Sequence, residues 1–192
     1  TQKGLIKHFE YVADRVDLPM ILYNVPGRTG CNILPETVVR LCQDVPNIVG
    51  VKEADPNISK LLKSLALCKD KLDFYVGNDD LITAAAYLGC KGVISVLSNI
   101  LPSFTHTMTM SGINGKIGKA NEMQSECLEL IDAIFSDVNP IPIKTAMRIL
   151  GYDIGYLRGP LCNMSAQKEK CLREALYRHQ SIIMNENRES IL

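Results

Sequence analysis

Four short apolar runs alternate with helical patterns over the first half of the chain, and this alternation constrains the fold more than any other feature. Each run is rich in β-branched or aromatic residues and lies between turn residues, as buried strands do. The predicted strands cover residues 20–23, 48–54, 74–77 and 92–96. Strands that alternate with helices of about ten residues pair in parallel through right-handed crossovers. The sequence therefore predicts an α/β fold.

The segments between the runs carry apolar residues at helical spacing. Pro35 suits the first position of a helix, and either Asn57 or Asp55 can cap the helix that follows the second strand. Asp79 or Asp80 can likewise cap the helix before the fourth strand. The predicted helices are 5–16, 35–42, 58–68 and 81–88 in the first half, then 101–110, 117–135, 141–150 and 167–183. The polar tail 185–192 is expected to fray.

Composition and charge exclude several classes of partner. Lys and Arg together number 21, as do Asp and Glu, so no net charge attracts nucleic acid or an anionic membrane. No apolar run approaches the roughly 18 to 20 residues of a membrane helix, and the N-terminus lacks the pattern of a signal peptide. The sequence predicts a cytoplasmic protein that binds neither nucleic acid nor membrane.

The cysteines and histidines predict no metal site. The seven cysteines are widely spaced and include no C-x-x-C, so neither a disulfide framework nor a zinc site is indicated. Most of the cysteines are expected to be small buried residues. The three histidines share no ligand spacing.

Lys52 closes the second apolar run, I-V-G-V-K-E-A, which has the length and β-branching of a strand buried on both faces. A lysine at this position can extend its ammonium group to the surface or form an ion pair. At the C-terminal edge of a parallel sheet it can instead be a desolvated amine that forms a Schiff base, and such edges are where ligands bind in α/β proteins. Lys52 is a candidate nucleophile.

The segment Y-N-V-P-G-R-T-G places Tyr23 at the end of the first run and Arg28 five residues later. Alone it is compatible with a plain turn. Combined with Lys52 on the next strand, it supplies a hydroxyl for proton transfer, a guanidinium that can bind a carboxylate, and an amine nucleophile. This combination favours chemistry on an oxo-acid.

These two motifs, followed by G-N-D-D, G-V-I-S-V and N-P-I-P-I-K, resemble dihydrodipicolinate synthases, a branch of the pyruvate-dependent aldolase family. The resemblance extends from Thr1 to about Leu176. It implies the C-terminal half of a TIM (β/α)8 barrel, with four βα units that correspond to the fifth to eighth. The implied domains are a partial barrel, 1–111, and a helical C-terminal extension, 112–192.

The resemblance also implies a role for five residues. Lys52 would form an imine with pyruvate, so no separate cofactor is expected, and Tyr23 would relay protons and position the imine. Arg28 would bind the carboxylate of the second substrate, aspartate semialdehyde. Gly77 and the backbone carbonyl of Ile94 would line the pocket around Lys52. A homo-oligomer, either a dimer or a tetramer, is the implied assembly.

The chain departs from the family in length. A (β/α)8 barrel typically needs about 250 residues, and this chain has 192. The missing front half would carry a threonine and a second tyrosine of the proton relay, a Gly-rich pyruvate-carboxylate loop and a lysine feedback site. Two other functions stay open, an inactive self-associating fragment and a related pyruvate aldolase such as N-acetylneuraminate lyase. Arg28 favours condensation, because relatives that cleave sialic acid do not usually carry an arginine there.

Overall fold

The computed structural model describes residues 1–68 and 71–189. The chain divides into two compact units, the first ending at Ile94 and the second beginning at Ser95. The first unit is α/β, and the second is helical apart from its turns and loops. The domain boundary predicted after residue 111 stays a prediction.

The first unit contains one parallel sheet with strand order β1-β2-β3-β4. Its strands are β1 (Met20–Asn24), β2 (Ile48–Glu53), β3 (Asp73–Val76) and β4 (Gly92–Val93). All four predicted strands are confirmed, but β4 is shorter than expected. The chain turns soon after it, where the Ser95 hydroxyl accepts a hydrogen bond from the Ser98 N–H (2.9 Å) and a 3₁₀ turn begins.

The helices described in the first unit are α1 (Gln2–Ala13), α2 (Pro26–Thr29), α3 (Pro35–Asp44), α4 (Ile58–Cys68) and α5 (Ile82–Leu88). Four of them correspond to predicted helices, although α1 begins and ends three residues earlier than expected, and the short helix α2 was not predicted. Pro35 begins α3, and the Asn57 side chain accepts the Lys60 N–H at the start of α4 (3.1 Å), so both predictions are confirmed. The predicted cap of α5 by Asp79 or Asp80 is wrong, because both residues lie in a 3₁₀ turn that precedes this helix.

The two faces of the sheet differ in burial. Leu22, Val51 and Phe74 are aligned across β1, β2 and β3, and each is at most 2% exposed. The following residue of each strand points to the opposite face, as strand geometry requires. On that face Tyr23 is 46% exposed. The central strand β2 is well buried as predicted, since only Val49 of its six residues is exposed.

The second unit is built from helices around an apolar core. They are α6 (Pro102–Ile113), α7 (Ile117–Ile134), α8 (Ile141–Ile149), α9 (Ala166–Arg178) and α10 (Gln180–Glu189). Met108 of α6, Leu130 and Ile134 of α7 and Leu172 of α9 are almost fully buried. The prediction of a helical C-terminal region is confirmed.

Two predictions about the C-terminal end are wrong. The single helix expected at 167–183 is interrupted at His179, whose ring nitrogens lie 2.8 Å from the Ala175 carbonyl oxygen and 2.9 Å from that of Glu126. The tail expected to fray from 185 continues as α10 up to residue 189. Glu186 is buried there, and its carboxylate accepts hydrogen bonds from the N–H groups of Ser103 and Phe104 at the start of α6. Residues 190–192 of the predicted tail lie outside the described residues.

In the described part of the chain, no helix combines the length and the hydropathy that crossing a membrane requires.

Candidate active site

Tyr23 and Lys52 lie side by side at the C-terminal edge of the sheet. They are paired in the register of β1 and β2, so their side chains leave the same face of adjacent strands. The Lys52 Nζ lies 4.2 Å from the centre of the Tyr23 ring. A cation at this distance is attracted to the ring face, and this contact holds the amine beside the phenol.

Gly77 leaves the space that the Lys52 side chain occupies. It follows β3, and its N–H donates to the Glu53 carbonyl oxygen (2.7 Å). A Cβ atom at this position would lie 2.9 Å from the Ala54 Cβ and 3.0 Å from the Lys52 Cε. Both distances are shorter than a normal carbon–carbon contact. Glycine is therefore required here for packing around Lys52.

The Gly77→Ala variant is accordingly expected to displace the Lys52 amine. If Lys52 forms an imine with pyruvate, as the resemblance implies, covalent trapping of pyruvate by borohydride should slow by about tenfold or more, since misplacing a reacting group by an ångström is enough for such a loss. Trapping is measured by the mass of the intact protein over time. Gly118→Ala is the control, because a Cβ there meets no atom within 4 Å. An unchanged trapping rate in Gly77→Ala would contradict this assignment.

Ile94 and Arg28 follow the two edge strands of the sheet, β4 and β1. The Ile94 N–H donates to the Val76 carbonyl oxygen (2.9 Å), which places Ile94 directly after β4 at the edge where Gly77 follows β3. Arg28 is exposed in the short helix α2, which ends at Gly30 in a left-handed conformation (φ 64°). The segment 25–31, here called the Arg28 loop, thus contains one short helical turn.

A buried polar cluster beside Lys52 was not predicted from the sequence. It is here called the Glu53 cluster and consists of Asn24, Asn32, Glu53, Asp55 and Lys60. The Glu53 side chain is only 3% exposed, and the Lys60 Nζ lies 3.7 Å from its Oε2 and 3.1 Å from the Asp55 Oδ2. The available sequence signal for this cluster was Glu53, a charged residue that directly follows the lysine at the strand end. The other partners of Glu53, however, come from three other segments of the chain.

The two carboxylates of this cluster have opposite pKa shifts. Burial raises the pKa of Glu53 above its usual 4.5, although the Asp55 N–H, Lys60 and Asn24 oppose this rise. Burial also pushes the pKa of Asp55 upward, but hydrogen bonds from Asn32, the Asn57 N–H and Lys60 outweigh it, and the pKa falls below 3.8. Glu53 is therefore the carboxylate that takes up a proton first on acidification.

This difference predicts a pH dependence of stability. Because the folded state raises the pKa of Glu53, its contribution is fully present below about pH 4.5 and is lost as the pH rises through the raised pKa. Relative to Glu53→Gln, the wild-type free energy of unfolding should therefore increase as the pH falls from neutrality towards 4.5. Urea unfolding of both proteins across this range measures the difference. A difference between wild type and Glu53→Gln that does not change with pH would contradict the prediction.

The Asp55→Asn variant should show the opposite pH dependence. The free energy of unfolding of the wild type, relative to this variant, should decrease as the pH falls below 3.8.

Cys90, which lies close enough to Glu53 to be affected by its charge, is not suited to act as a nucleophile. Burial raises the pKa of Cys90 to about 12, and the charge of Glu53 adds to this effect. A thiol with such a pKa carries almost no thiolate at neutral pH.

All seven cysteines are free thiols. Only Cys68, Cys90 and Cys127 are buried, so the expectation that most are buried is wrong. Among the described residues, no group of three or more His, Cys, Asp or Glu is placed to hold a metal ion.

Comparison with known proteins identifies the family. The model of the dihydrodipicolinate synthetase family matches residues 1–179. The chain belongs to this family. It is 48% identical over 182 residues to the 4-hydroxy-tetrahydrodipicolinate synthase of Clostridium tetani, a match that covers 95% of the chain and 62% of that relative. The chain thus spans about three fifths of the length of the curated synthases that it matches.

Solved structures of family members match the fold. The dihydrodipicolinate synthase of Aquifex aeolicus gives a TM-score of 0.91 at 36% identity, over 94% of this chain and 61% of that one. The chloride-inhibited dihydrodipicolinate synthase of Acinetobacter baumannii, complexed with pyruvate, gives 0.88 at 36% identity, over 92% and 60%. The predicted fold class is confirmed, since the four βα units and the helices after them match the C-terminal half of the TIM barrels of this family.

Proposed function

We propose that this dihydrodipicolinate synthetase family member acts in the condensation of pyruvate with L-aspartate semialdehyde to give 4-hydroxy-tetrahydrodipicolinate, a step of lysine biosynthesis through diaminopimelate. The observation that carries the proposal is the Lys52 amine at a barrel-strand end, 4.2 Å from the Tyr23 ring centre, in a chain 48% identical to a synthase of that name. N-acetylneuraminate lyase activity is not favoured, because the relatives matched above carry the synthase name.

The chemistry begins at Lys52. Its amine nitrogen attacks the C2 carbonyl of pyruvate, and loss of water leaves an imine. Removal of a proton from the methyl carbon converts the imine into an enamine, whose carbon attacks the aldehyde of the second substrate. The amino group of that substrate then attacks the imine carbon, which closes the ring and releases Lys52. The covalent imine serves in place of a separate cofactor.

The other predicted residues support these steps. The Tyr23 hydroxyl carries protons to and from the imine and the new alkoxide. Arg28 binds the carboxylate of aspartate semialdehyde through paired hydrogen bonds. Gly77 leaves room for the Lys52 side chain, and the Ile94 carbonyl lines the pocket. Assembly into a homo-oligomer stays a prediction.

The condensation assay with Arg28→Ala tests the proposal. Loss of charge-assisted hydrogen bonds worth about 1.5–3 kcal/mol should raise the KM for aspartate semialdehyde by about 10- to 100-fold. Arg40→Ala is the control, because Arg40 is an exposed arginine paired with Asp44 within α3. Wild-type protein that forms no product from pyruvate and aspartate semialdehyde but cleaves sialic acid would overturn the proposed substrate. Unchanged KM in Arg28→Ala would overturn the assigned role of Arg28.

A further inference from the structure

The Glu53 cluster closes the base of the Arg28 loop. The Asn24 side-chain N–H₂ donates to the Glu53 Oε1 (2.8 Å) and to the Asn32 Oδ1 (3.0 Å), and its carbonyl oxygen accepts the Ile33 N–H (3.0 Å). Residues on both sides of the loop are thus joined through one buried amide. Asn24 is 1% exposed, so these hydrogen bonds are shielded from water.

The far end of the loop is fixed to the chain that follows β2. The Asn32 side-chain N–H₂ donates to the Asp55 Oδ2 (2.8 Å), and Asp55 in turn donates its backbone N–H to the Glu53 Oε1 (2.8 Å). The Arg28 loop is therefore attached at both ends to the segment that continues directly from Lys52. This attachment uses side chains, whereas the strands themselves are joined by backbone hydrogen bonds.

Lys60 supplies the positive charge of the cluster. Its side chain is 11% exposed, and its ammonium group reaches Glu53, Asp55 and the Asn32 side-chain oxygen. Neighbouring carboxylates repel each other, and the buried Glu53 carboxylate is costly to keep ionised without a cation nearby. Removing the charge of Lys60 would protonate or expel one carboxylate, and the hydrogen bonds to Asn24 and Asn32 would weaken with it.

We propose that the Glu53 cluster is a positioning device that holds the Arg28 loop against the strand carrying Lys52, with Lys60 as its charge-balancing residue. The catalytic consequence rests on the function proposed above, in which Arg28 binds the second substrate. The cluster acts through the loop and touches no substrate. Lys60 is accordingly a positioning residue and not a catalytic one.

Loss of the Glu53 cluster should change the position of the Arg28 loop more than that of Lys52. The backbone directly after Lys52 is held independently of the cluster side chains, since the Ala54 N–H donates to the Asn24 carbonyl oxygen (2.9 Å) and the Glu53 carbonyl oxygen accepts the Gly77 N–H (2.7 Å). Loss of the cluster therefore leaves the Lys52 amine in place while the Arg28 loop gains freedom. The two substrates should respond differently.

Limited trypsin digestion tests loop anchoring without any assay of activity. In Lys60→Met, cleavage after Arg28 should be about tenfold faster than in wild type, because the loop opens more often once its charge-assisted hydrogen bonds are lost. Lys63→Met is the matched control, since Lys63 is exposed on the same helix. Lys60→Arg keeps the charge and should restore slow cleavage.

Kinetics supply the second readout. In Lys60→Met, the KM for aspartate semialdehyde should rise about tenfold, whereas borohydride trapping of pyruvate on Lys52 should stay within about twofold of wild type. Equal rates of cleavage after Arg28 in Lys60→Met and Lys63→Met would overturn the proposal. So would a slowing of pyruvate trapping as large as the rise in KM for aspartate semialdehyde.

If Lys60→Met does not fold, Asn32→Ala, which leaves Glu53 and Lys60 together, is measured against the same expectations. Wild-type protein that traps no pyruvate would overturn the proposed function alone, and the trypsin result would still decide loop anchoring.

Discussion

Replacing Lys52 with methionine is expected to abolish covalent trapping of pyruvate by borohydride and to lower the rate of condensation about 10³-fold or more. Methionine has nearly the same length and no nucleophile, so the packing against Gly77 is kept while the imine cannot form. The large size of the effect follows from the proposed mechanism, because every later step takes place on pyruvate that is bound covalently to the Lys52 nitrogen.

The Lys63→Met variant is the matched control for this experiment. It removes a lysine from the same unit, but from an exposed position on α4. Wild-type protein and Lys63→Met should gain the mass of one reduced pyruvyl group, and digestion should locate it on the peptide that contains Lys52. Trapping that persists in Lys52→Met, or a modification found on another lysine, would show that Lys52 is not the nucleophile.

Replacing Phe74 with alanine is expected to lower the free energy of unfolding by about 3–5 kcal/mol. Phe74 is 2% exposed on the buried face of β3, beside Val51 in the register of the sheet. Removing its ring takes away buried apolar area and leaves a cavity that the surrounding close-packed side chains fill only in part. Urea unfolding followed by circular dichroism measures the change.

Tyr75→Ala is the control for Phe74→Ala, because Tyr75 is the next residue of the same strand and lies on the opposite face. Its side chain is half-buried and aligned with Lys52. A smaller loss of stability is expected there, since less area is removed from water in the folded state. Equal losses in the two variants would contradict the difference in burial between the two faces of the sheet.

Much of the first unit could be predicted because its signals are local. The period of the apolar residues distinguishes strands from helices, and the alternation of the two implies parallel pairing. Pro35 and Asn57 mark helix starts through geometry that involves only the next few residues. Parallel strands then bring Tyr23 and Lys52 to the same edge, which is why two residues 29 positions apart could be predicted as neighbours.

The two errors at the C-terminal end have a different cause. The break at His179 involves the carbonyl of Glu126, 53 positions earlier, and the ordered end of α10 depends on N–H groups more than 80 positions from Glu186. Helical periodicity contains no information about such contacts. A polar tail was therefore predicted to fray where a buried carboxylate in fact caps another helix.

The sequence by itself determined the α/β character of the first unit, the helical character of the second and the placement of a lysine and a tyrosine at adjacent strand ends. These features depend on side-chain periodicity and on the fixed direction of parallel strands. Only the tertiary structure decided which groups surround Glu53, the residue that follows Lys52. Asn24, Asn32 and Lys60 come from three other segments to the cluster that contains Glu53 and Asp55. The burial that raises the pKa of Glu53 exists only once those segments have packed together.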